Sequence, residues 1–166
     1  HFNSYFAEFD AESLAFTFHQ KTTPQMTMGL TEDDQGIIWS VTYPQSGVVS
    51  YNPDSGEFKD YGHVYEQNWR QYPTTLAADD KGWLYFGLGT TSSQIIAFDK
   101  KTGQAKPMLA EEERVSGTGY VYRDQDGKVY GLKSTTGPFE DATGEETEWF
   151  SLYGGERAQV GRIEMQ

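Results

Sequence analysis

LTEDDQGIIWSVTYPQSGVVSYNPDSGEFKDYG, residues 30–62, and LAADDKGWLYFGLGTTSSQIIAFDKKTGQ, residues 76–104, are two copies of one unit, and their alignment decides the fold. Setting Gly36 on Gly82 puts Trp39 on Tyr85, a shift of 46; setting Tyr51 on Phe98 puts Gly56 on Gly103, a shift of 47. One inserted residue separates the matching halves. A third copy opens at VYRDQDGKVYGL, residues 121–132, with Gly127 lying 45 after Gly82 and Tyr130 in the place of Tyr85. Its second half is interrupted by a Gly/Thr/Glu-rich insertion, residues 134–147, before EWFSLY resumes an apolar alternation. Upstream, YFAEFDAESLAFTF, residues 5–18, matches only the second half of the unit.

Each part of the unit has a physical reason. In D-x-x-G (Asp33 to Gly36, Asp79 to Gly82, Asp124 to Gly127) the glycine permits positive φ and the aspartate bonds nearby amides, so the element reads as a tight turn between strands. The following strands, IIWSV, WLYFG and KVYGL, are apolar on both faces, the pattern of a strand buried between two layers. Next come the hairpins VVSYNPDSGEF and IIAFDKKTGQ, turning at Asn-Pro-Asp-Ser-Gly and Asp-Lys-Lys-Thr-Gly. Four short antiparallel strands in roughly 45 residues describe a β-propeller blade, so the expected fold is all-β, with about three and a half four-stranded blades. The expected boundaries are a half blade 3–18, blades 26–62 and 74–108, and a partial blade 118–166. A sandwich or an open array of hairpins would use the same short strands, but the fixed period with turn chemistry in register favours the propeller. A closed ring needs at least four blades, which predicts a segment of a larger ring of about six to eight. Exposed blade faces would then allow self-association or pairing with missing blades of a parent protein.

Composition narrows the function classes. The 166 residues carry 13 Lys+Arg against 25 Asp+Glu, a net charge of −12, which repels polyanions and disfavours nucleic acid and anionic membrane surfaces. No apolar stretch approaches the roughly 20 residues that span a bilayer, so no membrane insertion is expected. Zero cysteines exclude disulfides, thiol catalysis and cysteine-ligated zinc. The chain opens with His1 and shows no signal peptide, which is expected of a processed or excised piece.

At DDQGIIW and DDKGWLYFG, followed by YNPDSG and FDKKTG, the chain resembles the secreted or periplasmic β-propeller family that includes virginiamycin B lyase and the gluconolactonases, and also propeller-type polysaccharide lyases. The resemblance covers nearly the whole chain and implies the architecture and a secreted or periplasmic location. Many activities share this frame, so activity must be argued from the site.

In a propeller the loops between blades and those between second and third strands share one face, which is the expected ligand face. Residues 63–72 are the richest of these loops, holding His63, Tyr65, Glu66, Asn68, Trp69, Arg70 and Tyr72. Aromatic plates among polar donors suit sugar recognition, and Tyr43 and His19 are expected on the same face. The candidate ligand-binding residues are therefore His19, Tyr43, Asn68, Trp69 and Tyr72. The alternative is that Trp69 and Tyr72 only fill gaps between blades while Arg70 pairs with a carboxylate.

Two function classes follow: a non-catalytic module for carbohydrate or another small molecule, or an enzyme of lyase or lactonase type. In a lyase, His63, Tyr65 or Tyr43 would be the base, with Arg70 or Lys21 neutralising a uronate; His63, Tyr65 and Arg70 are the catalytic candidates. No metal or other cofactor is expected, because the recurrent aspartates have a sufficient reason at hairpin turns. Met26 and Met28 read as strand residues, Glu111–Glu113 as a solvated loop, and the D-x-x-G turns as structural.

Overall fold

Asp33 shows why each unit folds back on itself. Its Oδ1 accepts the amides of Gln35 (2.9 Å) and Ile37 (3.1 Å), while Gly36 turns the chain at φ 75°. Asp79 does the same for Lys81 and Trp83, both at 2.9 Å, with Gly82 at φ 90°. The second turn type is set by Asn52 and Asp99, whose side chains accept from the residues two and three further on.

The computed structural model describes residues 4–22, 26–67, 71–89, 91–134 and 149–159. These form a hairpin of β1 (Tyr5–Asp10) and β2 (Ala15–Lys21), followed by three four-stranded antiparallel meanders. The first comprises β3 (Met26–Glu32), β4 (Ile38–Tyr43), β5 (Gly47–Asn52) and β6 (Glu57–His63). The second comprises β7 (Tyr72–Ala78), β8 (Trp83–Gly89), β9 (Gln94–Asp99) and β10 (Ala105–Pro107). The third comprises β11 (Tyr120–Arg123), β12 (Val129–Leu132), β13 (Phe150–Tyr153) and β14 (Glu156–Gln159). Within each sheet the spatial order is the chain order, and the initial strand β7 lies between β3 and β11.

The sheets pack face to face, which explains strands apolar on both sides. Leu84, Phe86 and Leu88 of β8 point to the preceding sheet and form one core with Trp39, Val41 and Val48. Tyr85, between them, points the other way and packs with Val121, Val129, Phe150 and Leu152. A third cluster, Phe6 with Val49 and Tyr51, joins the β1–β2 hairpin to the first full sheet. The Tyr51 hydroxyl donates to Glu8 at 2.5 Å, and that carboxylate together with burial pushes the phenol up to about 12. The outer end of this hairpin is apolar and uncovered, with Leu14 75% and Phe16 68% exposed.

The segment Glu111–Glu113, expected as a solvated loop, forms a 3-10 turn whose last carboxylate is engaged. Glu113 accepts from Arg157 at 2.6 Å and from the Ala110 amide at 3.0 Å, and lies 3.4 Å from Lys133. Chiefly through the Arg157 bond its carboxyl is pulled down to about 2. A folded-state value below the unfolded one means stability present above about pH 4.5 and lost as the pH falls toward 2. Urea unfolding of Glu113→Gln at a series of pH values should therefore show a deficit against the parent at neutral pH that shrinks through this window.

Candidate functional site

Antiparallel meanders send alternate connections to opposite ends, so the three sheets share two faces. The loop face carries the β4–β5 and β8–β9 links and the crossings from β6 to β7 and β10 to β11. The turn face carries the D-x-x-G turns and the β5–β6 and β9–β10 turns.

On the loop face the links at 44–46 and 64–71 are tied to each other through Gln71, which is fully buried. The Gln71 amide donates to the Pro44 carbonyl (2.9 Å), and its side chain donates to the Tyr65 carbonyl (3.0 Å) and to the Ser46 hydroxyl. Its side-chain oxygen accepts the Gln67 amide at 2.9 Å. Val64 donates to the Ser46 carbonyl at 3.0 Å. Nothing in the local sequence pattern marks Gln71 as this clasp; its role depends on two loops meeting.

The clasp positions an aromatic pair. Tyr43 ends β4 and Tyr72 begins β7, and their rings stack 4.7 Å apart at 29° across the junction between sheets, beside the cis Tyr43–Pro44 bond. Tyr72 remains 37% exposed. His63 closes β6, is exposed, and lies with Nδ1 3.2 Å from the Gln45 carbonyl. Tyr65 is half-buried, packs against the first core, and has its hydroxyl bonded by Gln67, whose oxygen in turn accepts from Arg114 at 3.1 Å. Arg114 also donates to the Ser93 carbonyl at 2.9 Å and pairs with Glu111.

His63, Tyr43 and Tyr72 thus share one stretch of the loop face. His19 sits within β2 opposite Ala7, where a loop was expected, and its ring neighbours Tyr5 at 6.5 Å. Asn68, Trp69 and Arg70 lie outside the described residues. Among the described residues no group of three or more His, Asp or Glu side chains converges as a metal site.

The turn face, expected to be purely structural, holds two open recesses. One, of about 380 Å³, lies between the first two full sheets and is lined by Ile37, Trp39, Tyr61 and Lys59 among others. The second lies at the inner ends of the sheets, between Asp34, Asp80, Asp124 and Asp126, where Arg123 pairs with Asp34.

The same face also shows what binds one sheet to the next. Asp33 Oδ2 accepts the Trp39 indole (2.8 Å) and reaches Lys100 of the following sheet (2.9 Å). Burial opposes the charge on Asp33, but the bonds from Lys100 and Trp39 outweigh it and hold the carboxyl below its usual value. Asp79 Oδ2 accepts the Tyr85 hydroxyl (2.9 Å) and the Gly154 amide of the next sheet (2.8 Å), and Gly155 donates to the same hydroxyl (2.8 Å). Burial pushes the Tyr85 phenol well up. In the first two full units one aspartate therefore fixes its own turn, the aromatic residue six places on, and the neighbouring sheet.

Meanders laid face to face, first strands side by side and latched by a repeated aspartate, define consecutive blades of a β-propeller. Solved structures share this fold. The chain resembles virginiamycin B lyase from Staphylococcus aureus at 13% identity and TM-score 0.50, with 82% of this chain and 42% of that one covered. It matches the extracellular domain of a one-component system from B. thetaiotaomicron at 13% identity and TM-score 0.56, covering 97% of this chain and 20% of that one. A PQQ-bound aldose sugar dehydrogenase from Streptomyces coelicolor matches at 12% identity and TM-score 0.51, over 92% of this chain and 50% of that one. The chain thus spans half or less of the propellers it matches. At these identities the likeness is one of fold. No protein-family model and no curated protein matches the chain.

Proposed function

We propose that the chain is a ligand-binding segment of a secreted or periplasmic β-propeller, and that its loop face binds a carbohydrate or a similar hydroxylated small molecule. The stacked Tyr43–Tyr72 pair carries this reading: a partly exposed aromatic surface held on the Gln71 clasp, with the exposed His63 in contact with the Gln45 carbonyl, two residues along from Tyr43. Rings of this kind cover the apolar face of a sugar, and a nearby polar side chain fixes its orientation. Fold relatives that are extracellular domains support the location, and no helix among the described residues is long and apolar enough to cross a membrane.

The test is calorimetric titration with neutral and uronate-containing oligosaccharides. Tyr72→Ala should weaken binding about tenfold, the equivalent of about 1.4 kcal/mol, while leaving the unfolding midpoint nearly unchanged. Equal affinity in Tyr72→Ala and parent would refute the loop-face reading. Release of an unsaturated product, read by ultraviolet absorbance, would replace the binding-module reading with a lyase.

A further inference from the structure

The β1–β2 hairpin has two aromatic faces, of which one is covered. Toward the first full blade, Phe6 and Phe18 meet Tyr51 at 5.5 and 4.4 Å between ring centroids, and each lies 5.7 Å from Phe58. Phe9 and Phe16 stand 42 residues before Tyr51 and Phe58, paired across the two strands on the opposite side of the hairpin. Their rings meet edge to face at 5.3 Å but are 52% and 68% exposed. The hairpin therefore repeats, uncovered, the pair of rings that it covers on its neighbour.

The third full blade carries a ring to match. Phe150 pairs with Gly131 as Ile96 pairs with Phe86, 45 residues before Gly131. Trp149, next to Phe150, thus holds the place of Ile95 in the second blade and, by the shifts of 47 and 42, of Val48 and Phe6 before it. The same blade is not built to receive another complete blade. Where the second blade takes the first strand of the third, small side chains stand at the contact: the Val121 amide donates to Thr75 Oγ1 at 2.9 Å, and Ala77 shares a core with Val121 and Val129. The corresponding places 45 residues later hold Tyr120 and Tyr122. Both face away from the second blade, because Val121 between them points into that core. Tyr120 meets Trp149 edge to face at 6.0 Å. Two tyrosines here would hold a further first strand off. The β1–β2 hairpin brings none, since it has only the outer two strands of a blade.

We infer that two copies of this chain associate head to tail, the third full blade of each receiving the β1–β2 hairpin of the other. Trp149 then covers Phe9 and Phe16 as Phe6 covers Tyr51 and Phe58. Tyr120 and Tyr122 fill the space left by the two strands the hairpin lacks. Both junctions repeat the step from one blade to the next, so the pair closes on itself and its two loop faces open on the same side. The association stands whether or not the loop face binds sugar.

Sedimentation velocity over a series of protein concentrations tests this, and the 166-residue chain should run as a dimer. Phe16→Glu and Trp149→Ala should each weaken the dimer by about a hundredfold, because each of two junctions loses a ring contact worth about tenfold. Phe16→Glu, at an exposed ring, should keep the parental circular dichroism and unfolding midpoint. Tyr122→Glu, at a partly exposed position on the same face as Trp149, should act as Trp149→Ala does. An equal mixture of Phe16→Glu and Trp149→Ala should recover pairing that neither shows alone, since one junction is then intact. A parent that stays monomeric throughout, or that grows into an open-ended series, would overturn the inference. So would full dimerisation of both Trp149→Ala and Tyr122→Glu, the result expected if two hairpins pair with each other.

Discussion

Asp79→Ala should destabilise the protein by about 3–4 kcal/mol, read as a lowered urea midpoint with little change in slope. The carboxylate is nearly inaccessible and serves four donors: the amides of Lys81 and Trp83, the Tyr85 hydroxyl, and the Gly154 amide of the next blade. Truncation leaves the Tyr85 hydroxyl and the Gly154 amide without this acceptor, at about 1–3 kcal/mol for each buried polar group left unsatisfied. Two comparisons isolate the cause. Asp80→Ala, at the exposed neighbour, should stay within about 0.5 kcal/mol of the parent. Tyr85→Phe should cost less when added to Asp79→Ala than in the parent, because the hydroxyl has then already lost its acceptor and only the Gly155 amide is left without a partner. A loss below about 1 kcal/mol for Asp79→Ala would show that the latch is not what joins these blades.

Gly87→Ala should be at least as damaging, about 3 kcal/mol or more, although only one methyl group is added. A Cβ at Gly87 would stand 1.7 Å from the Gly119 carbonyl oxygen and 2.5 Å from its carbon. Those atoms are backbone, so the link into β11 would have to lift off β8, on which the Gly119 amide is bonded to the Leu88 carbonyl at 2.8 Å. Gly89 and Gly119 are equally crowded, their added Cβ atoms meeting Thr118 Oγ1 and the Gln94 carbonyl oxygen at 2.1 Å. Overpacking against rigid neighbours is relieved only by separating the elements. Amide hydrogen exchange should show protection falling first at 117–121 and along β8. Unaltered exchange and unaltered stability in Gly87→Ala would contradict this packing.

The contrast between these two positions marks what the repeat made legible. The D-x-x-G turns, the second hairpin turns and the doubly apolar strands were readable because each depends on neighbours in the chain: Asp33 caps Gln35 and Ile37, and Leu84 alternates with Tyr85. The second job of the same aspartates was not readable, because Lys100 and Gly154 reach them from 67 and 75 residues away. Nor was the need for glycine at 87, since the first repeat has Val41 in that place without difficulty.

For the candidate site the loop between β6 and β7 was singled out by its composition, which carried no sign of how it is organised. Tyr43 and Tyr72 come together because β4 and β7 belong to adjacent blades, and Gln71, which carries no sequence signal, fixes the loops beneath them. The turn face was read as structural because its recurrent aspartates had a local reason to be there. That reason holds for Asp33 and Asp79, yet a local reason says nothing about space left between blades.

By itself, then, the sequence determined the blade: its four strands, its turns and the two buried faces, all set by interactions a few residues long. The tertiary structure alone decided how blades latch, where the backbones press too closely for a side chain, and where a recess is left between blades. Those depend on pairs of groups brought together across a whole unit, whose distances no periodicity encodes.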